Sequence, residues 1–417
     1  MNILFIHQNF PGQYKHIAPA LAERGHDVKA IGMCDFKSND KITYHRYQNK
    51  RGTTANAHPW VIDYEAKIIR GEACANLCKS LLDDGYTPDV ICVHPGWGEA
   101  LFLKDVWPEA KQLHFVEFYY GSTGRDVDFD KEFPTLNFAG KCRLTSKNTN
   151  NLMNLITMDA GMSPTRWQHS TVPEQFHEKI SVIHDGIDTK VLSPDKSVSF
   201  QAKSVAGNVV HFDQSKQVIT FINRNLEPSR GYHSFMRALP MIMAQNPEAK
   251  VVIIGGDGVS YGKAPEKGTW KNIFLDEVKE DIDLDRLFFL GRIPYHVYLS
   301  VMRLSACHVY LTYPFVLSWS MLEALSIGAP VLASSTPPVL EVIEDNKNGW
   351  LVDFFDYEAI AKQTTAILNK PKADIERVTL AARETVVEKY DLELVCLPKQ
   401  VALIENLIDG GHQINHH

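Results

Sequence analysis

Short apolar runs alternate with segments of helical periodicity along nearly the whole chain, in two successive series. The first series predicts strands at residues 1–7, 26–32, 89–94 and 112–120. A helix is predicted at residues 13–24, between the first two strands. Because these strands are apolar throughout and are separated by helices, they are typical of a parallel sheet that helices cover on both faces.

The second series begins after a polar stretch at residues 193–215. It predicts strands at residues 218–223, 250–254, 287–290, 309–312 and 330–333. Helices are predicted at residues 234–245, 271–281, 295–304 and 320–326. The fold class is therefore α/β, with two doubly wound domains in tandem. We expect domains at residues 1–195 and 196–390, and a C-terminal helix at residues 391–417 that crosses back to the first domain.

The composition excludes several classes of protein. The chain has 417 residues, a formal net charge of -7 and 44% apolar residues, which is typical of globular proteins and unlike disordered ones. An acidic chain is a poor candidate for non-specific nucleic-acid binding. The seven cysteines form no CxxC pair, and an odd number of scattered cysteines indicates free thiols in a reducing cytoplasm.

Two strand ends in the first series carry candidate site residues. Gly12 forms a tight turn before a predicted helix, where free N–H groups suit an anion, although an ordinary turn explains it equally well. His94 ends a predicted strand directly before the segment Pro-Gly-Trp-Gly. Because this position lies at the carboxyl edge of the predicted sheet, we interpret His94 as functional.

Strand ends in the second series carry positive charge and glycine. Arg224 ends a predicted strand and Arg230 follows it, so that the two guanidinium groups are placed to hold a diphosphate. Gly256 lies in a glycine-rich loop that allows a ligand to come close. The loop lacks the G-x-G-x-x-G spacing of a dinucleotide site.

The segment from residue 309 to residue 334 is the most informative. Ser318 is a predicted N-cap for a helix that begins near Trp319 and Ser320, and the N–H groups of its first turn suit a phosphate. Glu323 lies one turn further along, within reach of ligand hydroxyls. The acidic runs at residues 126–130 and 281–285 are interpreted mainly as solvated turns, and no metal site is predicted.

In the order and spacing of these motifs the sequence resembles the GT-B glycosyltransferases of family 4, the group 1 glycosyl transferases. The resemblance begins at ILFIHQNFPGQYKHIAPALAERGHDV, continues through DVICVH, DAGMSPTRWQ and VIHDGIDT, and ends with SMLEALSIGAPVLAS and EVIEDNKNGWLV. It implies two Rossmann-like domains that face a central cleft, and retaining, metal-independent transfer from a nucleotide-diphosphate sugar.

The resemblance also implies roles for individual residues. Gly12 matches a loop that meets the donor phosphates, His94 a histidine on the donor sugar, and Arg224 and Arg230 the pair on the diphosphate. Further donor contacts are implied at Arg292, Ile293 and Glu323, where the first two meet the base and the glutamate holds the ribose. The N-terminal domain of this family binds the acceptor, which suggests Glu117, Tyr119 and Tyr120, at the end of a predicted strand.

One position departs from the family pattern. Phe315 stands eight residues before Glu323, where the family has its first glutamate, and Leu317-Ser318 replaces a Phe-Gly pair. Phenylalanine cannot accept a hydrogen bond from a sugar hydroxyl. The departure leaves three explanations open: an unusual or deoxy donor sugar, another residue in this role, or a degenerate site.

The predicted function is glycosyl transfer in the assembly of surface polysaccharide or another glycoconjugate. The expected donor is a UDP- or GDP-linked sugar, the acceptor is a glycan, a lipid-linked or a small molecule, and no cofactor is expected. Peripheral attachment at the inner face of the membrane stays open. Two alternatives are a nucleotide-sugar epimerase and a non-catalytic nucleotide-sugar binding protein; the missing fingerprint makes a nicotinamide-dependent oxidoreductase a poor candidate.

Overall fold

The computed structural model describes residues 1–133 and 136–408. The chain folds into two compact units: Met1–Gly186 joined by the C-terminal segment from Glu393, and Ile187–Leu392. Each unit is built on its own parallel sheet.

The first unit contains, within its described residues, a sheet of seven strands in the order β3-β2-β1-β4-β5-β6-β7, all parallel. The strands are β1 (Asn2–Ile6), β2 (Asp27–Gly32), β3 (Ile42–Arg46), β4 (Val90–Val93), β5 (Lys111–Phe115), β6 (Ala160–Ser163) and β7 (Ile180–Val182). The central strands β1 and β4 are buried on both faces, as expected for a sheet between two helical layers.

The part of the first unit that precedes Ile187 has the helices α1 (Ile17–Glu23), α2 (Ile62–Asp83), α3 (Leu103–Val106), α4 (Phe138–Thr157) and α5 (Arg166–Ser170). Their apolar side chains fill the space on both sides of the sheet.

The second unit, Ile187–Leu392, is described throughout and holds a six-stranded parallel sheet and a two-stranded antiparallel hairpin. The hairpin is β8 (Phe200–Lys203) and β9 (Val209–Phe212). The sheet has the order β12-β11-β10-β13-β14-β15. Its strands are β10 (Val218–Asn225), β11 (Lys250–Gly256), β12 (Leu287–Gly291), β13 (Ser305–Tyr310), β14 (Val331–Ser334) and β15 (Trp350–Val352).

Helices of the second unit cover both faces of this sheet. They are α6 (Tyr232–Gln245), α7 (Trp270–Val278), α8 (Tyr295–Arg303), α9 (Trp319–Ile327), α10 (Pro337–Leu340), α11 (Tyr357–Leu368) and α12 (Lys372–Tyr390). After the chain returns to the first unit, α13 (Leu397–Ile408) buries Val401 and Ile404 in the core of that unit, beside β4 and β5.

Several predicted elements end at other residues than expected, and three of them show why. The helix predicted at residues 13–24 is a 3-10 turn, Gly12–Tyr14, followed by α1. Pro19 has no N–H to donate, and α1 places it in its first turn, where none is needed. The strand predicted at residues 309–312 ends at Tyr310, because the N–H of Thr312 donates to the Ser334 hydroxyl.

The strand predicted at residues 112–120 ends at Phe115. The prediction that Glu117, Tyr119 and Tyr120 end this strand is therefore wrong, since they lie in the loop after it. The aromatic run after Phe115 looks like a strand in sequence. In the structure the N–H of Tyr119 donates to the Thr171 hydroxyl and that of Tyr120 to the Asn148 side chain, not to a neighbouring strand.

Strand order determines where a ligand can bind. Both sheets begin with a central strand, β1 or β10, and the chain then winds outward first to one side and later to the other. In open α/β sheets, ligands bind outside the carboxyl ends of the strands at this switch point. Among the described residues, no helix has the length and apolarity of a membrane span.

Candidate functional site

Two histidines lie side by side at the switch point of the first sheet. β1 and β4 pair with Ile6 opposite Val93, and the N–H of His94 donates to the carbonyl of Ile6 at 3.0 Å. His7 and His94 therefore follow neighbouring strands at the same edge, with ring centroids 5.3 Å apart. Both are buried, His94 to 2% exposure.

His94 carries a hydrogen-bond donor that the described part of the protein leaves unused. The N–H of Gly96 donates to Nδ1 at 3.2 Å, which assigns the ring proton of a neutral histidine to Nε2. Nε2 is buried and has no hydrogen-bond partner among the described residues. The nearest carboxylate oxygen, Oε2 of Glu117, lies 3.8 Å away.

The surroundings of His94 favour its neutral form. Burial lowers its pKa well below the usual 6.5, and the neighbouring His7 lowers it further. Its ring stacks on Trp97 at 4.3 Å and on Phe115 at 5.4 Å. The side chain is thus held in one orientation as a neutral donor.

His7 was not predicted as a site residue. The N–H of Asn9 donates to its Nδ1 at 3.0 Å, and its Nε2 donates to the side-chain oxygen of Gln13 at 2.6 Å. Burial lowers the pKa of His7 to about 4. The sequence signal was the one used for His94, a histidine directly after a buried strand.

Gly12 closes the loop around His7 and cannot carry a side chain without a rearrangement. Its φ is +46°, and a Cβ at this position would lie 2.3 Å from Cε1 of His7. The structure therefore gives Gly12 a packing reason, independent of any contact with phosphate.

The three acceptor candidates lie beyond β5 and differ in their contacts. Arg125 donates to the backbone carbonyl of Tyr119, and Asn148 donates to that of Tyr120 at 2.7 Å. The Lys147 ammonium lies 3.7 Å from the centre of the Tyr120 ring. Glu117 is the candidate that approaches His94.

The switch point of the second sheet carries the two predicted arginines. Arg224, next to last in β10, is exposed and forms no hydrogen bond or ion pair with the described residues. Arg230 is 7% exposed and lies in a 3-10 turn before α6. One of its terminal nitrogens donates to the Thr312 hydroxyl at 2.7 Å and to the carbonyl of Val316 at 3.2 Å.

The positive charge of Arg230 is not neutralised within the described structure. No carboxylate of the described residues pairs with its guanidinium, which lies 5.1 Å from the centre of the Tyr261 ring. Glu227 is nearby in sequence, but its carboxylate accepts the backbone N–H groups of Ser260 to Gly262 at 3.1–3.3 Å. A buried, uncompensated guanidinium at a switch point is suited to an anionic ligand.

Gly256 ends β11 where two side chains pack closely. A Cβ there would lie 2.7 Å from the side-chain oxygen of Asn225 and 3.1 Å from Nε of Arg292. Arg292 is exposed and adjoins Gly256, as expected for residues at one sheet edge. The side chain of Ile293, in contrast, packs against the core of the unit, which leaves only its backbone for a base.

The N-terminus of α9 faces the same region as Arg230. Ser318 is confirmed as the N-cap, since its hydroxyl accepts the N–H of Ser320 at 3.4 Å. The two serine hydroxyls lie 2.9 Å apart, and Trp319 between them is exposed. Because the carbonyl of Val316 holds Arg230, the guanidinium and the start of α9 belong to one cluster.

Two tyrosines that the sequence did not indicate hold Glu323. Tyr295 donates its hydroxyl to one carboxylate oxygen at 3.0 Å, and Tyr298 donates to the other at 2.5 Å. Burial, and next the charge of Glu323, raise the pKa of both tyrosines, so that they stay protonated donors. A carboxylate accepts about four hydrogen bonds, so capacity for a ligand hydroxyl remains.

Phe315 lies in an aromatic setting. It is buried, and its ring centroid is 4.9 Å from that of Tyr261, the ring that also faces Arg230. The position where the family has a carboxylate is thus part of an aromatic surface beside the guanidinium.

Comparison with known proteins identifies the family of the chain. A family model described as the glycosyl transferase family 4 group matches residues 24–192, and one described as glycosyl transferases group 1 matches residues 208–384. Glycogen synthase of Mycobacterium tuberculosis is 22% identical over 413 residues, which covers 91% of this chain and 87% of that protein.

Solved structures show the same fold. The sucrose-phosphate synthase from Thermosynechococcus elongatus aligns with a TM-score of 0.72 at 17% identity, over 99% of this chain and 100% of that one. HepE of Anabaena, solved in complex with UDP-glucose, aligns with a TM-score of 0.65 at 14% identity, over 97% and 98%. The two matched regions together span most of both units, and the chain therefore belongs to the group 1 glycosyltransferases with the GT-B fold.

Proposed function

We propose that this glycosyltransferase moves a sugar from a nucleotide-diphosphate sugar to an acceptor hydroxyl, with retention and without a required metal. The observation that carries the proposal is Arg230, a buried guanidinium with no carboxylate partner among the described residues. A diphosphate supplies the charge that this group lacks.

The chemistry follows from where negative charge develops. When the bond between the sugar and the diphosphate breaks, charge accumulates on the departing phosphate oxygen. Arg230, Arg224 and the N–H groups at the start of α9 are donors placed to stabilise that charge, and fixed donors need no reorganisation during the reaction. With two arginines as countercharge, the proposed reaction does not require a metal, and turnover should persist in excess EDTA.

His94 supplies the proposed contact with the transferred sugar. Its Nε2–H is neutral, buried and unpartnered among the described residues, so it can donate to a sugar hydroxyl. A retaining reaction without a carboxylate nucleophile implies that acceptor attack and diphosphate departure take place on one face of the sugar. The leaving diphosphate then takes the acceptor proton.

For the donor we propose a class of sugar and two candidate bases. HepE of Anabaena has been solved with UDP and with UDP-glucose bound, which supports a uridine donor as the first candidate here and leaves GDP as the second. Phe315 and Tyr261 favour a donor sugar that presents an apolar edge there, such as a deoxy sugar. Glu323 is proposed to accept a ribose hydroxyl.

The biological setting completes the proposal. We place the reaction in the assembly of surface polysaccharide or another glycoconjugate. A reducing compartment is proposed separately, because all seven cysteines are free. Glu117, Tyr119 and Tyr120 stay candidates for acceptor contact.

A ligand screen tests this proposal. Melting curves are recorded with UDP, GDP and ADP and with their common sugar conjugates, and donor conversion is then measured with and without an acceptor panel. Binding raises the melting temperature by mass action, more at a given concentration for a ligand that binds more tightly. We expect one nucleotide diphosphate and one of its sugars to stabilise the protein, and an acceptor to accelerate donor consumption.

The same screen separates the alternatives. Conversion of the donor sugar into an isomer without any acceptor would identify an epimerase. Donor binding with neither transfer nor hydrolysis over long incubation would identify a binding protein. No stabilisation by any nucleotide at millimolar concentration would contradict the proposal.

A further inference from the structure

A buried lysine of the first unit forms no ion pair with the described residues. Lys67, in α2, is 8% exposed, and its ammonium forms no hydrogen bond or ion pair with the described residues. Burial lowers the pKa of Lys67 to about 8, and the nearby charge of Lys147 contributes. Burying an ammonium group without a compensating charge is costly, and an anionic ligand bound beside Lys67 would remove that cost.

Two further cations lie near Lys67. Lys147, in α4, has its ammonium 3.7 Å from the centre of the Tyr120 ring. Arg70 is one turn along α2 from Lys67. The charge of Asp63 raises the pKa of Lys67, and that of Arg70 lowers it. The three side chains form a cationic cluster, defined here as Lys67, Arg70 and Lys147.

The acidic residues near the cluster are mostly engaged elsewhere. Arg143 donates to both carboxylate oxygens of Asp63 at 3.0–3.1 Å. Glu99 is fully buried, accepts the Tyr47 hydroxyl at 2.5 Å, and has its pKa raised by burial, which favours its neutral form. Burial also raises the pKa of Asp126, and the nearby charge of Lys147 opposes this only in part.

The cluster adjoins the turn that carries His94. Arg70 donates to the carbonyl of Trp97 at 3.1 Å, and Asn150 of α4 donates to that of Pro95 at 2.9 Å. Gly98 packs so closely on α2 that a Cβ there would lie 2.2 Å from the carbonyl oxygen of Lys67. Both helices that carry the cluster thus contact the segment immediately after His94.

We propose that the cationic cluster binds a phosphoryl group of the acceptor, so that the acceptor substrate of this enzyme is phosphorylated. The inference rests on the proposed function for its acceptor role. A phosphate monoester carries nearly two negative charges near neutral pH and offers three acceptor oxygens. Lysine ammonium groups and a guanidinium match that group in charge and hydrogen bonding.

Inorganic phosphate is the probe for a direct test. Its dissociation constant is measured by calorimetry with excess UDP present, so that phosphate is kept away from Arg224 and Arg230. Lys67→Met and Lys147→Met should each weaken phosphate binding about tenfold, which corresponds to one charge-assisted hydrogen bond. Lys67→Arg should retain binding, and it keeps the test valid if Lys67→Met fails to fold.

Lys79→Met is the matched control, because Lys79 is an exposed lysine on the same helix that pairs with Asp83. We expect it to bind phosphate like the wild type. Phosphate binding that Lys67→Met and Lys147→Met leave unchanged, or that is absent in the wild type, would overturn the proposal. UDP binding is measured in the same proteins. No UDP binding in the wild type would contradict the proposed uridine donor, whereas UDP binding without phosphate binding would contradict the cluster alone.

Two sources of the phosphoryl group are distinguished in a second step. Donor consumption is compared with glucose and with glucose 6-phosphate, and protein sedimentation with vesicles of phosphatidylcholine alone or mixed with phosphatidylglycerol. Faster donor consumption with glucose 6-phosphate that Lys67→Met abolishes supports the site and identifies a soluble acceptor. Sedimentation with phosphatidylglycerol vesicles that Lys67→Met abolishes supports the site and identifies a lipid acceptor. Responses that are independent of Lys67 in both experiments would contradict it.

Discussion

Arg230 and His94 are both buried and both offer a ligand something that the described protein leaves unpaired. For Arg230 this is its positive charge, and for His94 the N–H of its ring. Both follow strands at a switch point, and both were predicted from that position alone. His7 occupies an equivalent position after β1 and was missed, because its neighbours Gln13 and Gly12 are close to it only in the folded loop. The sequence indicates which residues end a strand, whereas their hydrogen-bond partners depend on tertiary packing.

Gly12→Ala tests the loop around His7. The added methyl group would meet the imidazole ring at 2.3 Å and would also occupy positive φ. We expect a loss of about 2 kcal/mol or more in the free energy of unfolding, measured in urea, since strain at positive φ alone costs about 1–2 kcal/mol. Gly25→Ala is the control: Gly25 has φ +89°, and a Cβ added there would have no atom within 4 Å. Equal losses in the two variants would show that His7 does not hold the loop.

At the level of elements, the central strands were predicted and several others were not. β1, β4, β10 and β11 are buried on both faces and therefore have continuous apolar sequences. β3, at the edge of the sheet, has only one buried residue, and β6 consists of Ala, Gly, Met and Ser, so neither has a strong apolar signal. Errors at element ends arose where a side chain, such as that of Asn148 or Ser334, replaced a strand as hydrogen-bond partner.

The contact between α8 and α9 gives a second prediction. Tyr298→Phe removes the shorter hydrogen bond to Glu323 and leaves the ring in place. Hydrogen bonds to charged groups are worth about 1.5–3 kcal/mol, and part of this should appear as about fivefold or greater weakening of nucleotide diphosphate binding by calorimetry. The loss should be smaller for the 2′,3′-dideoxy nucleotide, because the proposed role of Glu323 is to accept a ribose hydroxyl.

Tyr357→Phe is the matched control for this experiment, as Tyr357 is an exposed tyrosine at the start of α11. An equal loss of affinity for the ribose and dideoxy nucleotides in Tyr298→Phe would contradict the ribose assignment.

Across the whole molecule, buried neutral histidines make stability depend on pH. Burial lowers the pKa of His7, His184 and His308 to about 4 and that of His114 to about 3, from an ordinary value of 6.5. Between these values the unfolded chain binds more protons than the native one, so the free energy of unfolding falls as pH decreases. Each histidine contributes up to about 1.4 kcal/mol per pH unit in this window.

Urea unfolding at pH 7.5 and pH 5.5 should therefore show lower stability at the acidic pH. The raised pKa values of Glu99 and Asp126 oppose this trend but involve fewer groups. His184→Gln should reduce the difference between the two pH values, and His296→Gln, at an exposed position, should not. Equal stability of the wild type at both pH values would contradict the buried neutral state of these histidines.

The central claim is that Arg230 binds the donor diphosphate and stabilises its departure. The most direct measurement is calorimetric titration of Arg230→Ala with the nucleotide diphosphate found in the screen, together with its rate of sugar transfer. Arg237→Ala is the control, since Arg237 of α6 pairs with Glu277 of α7. We predict strongly reduced binding and about 10²–10³-fold slower transfer for Arg230→Ala, as is typical when one fixed donor is removed, with the control unchanged. Wild-type binding and turnover in Arg230→Ala would contradict the account.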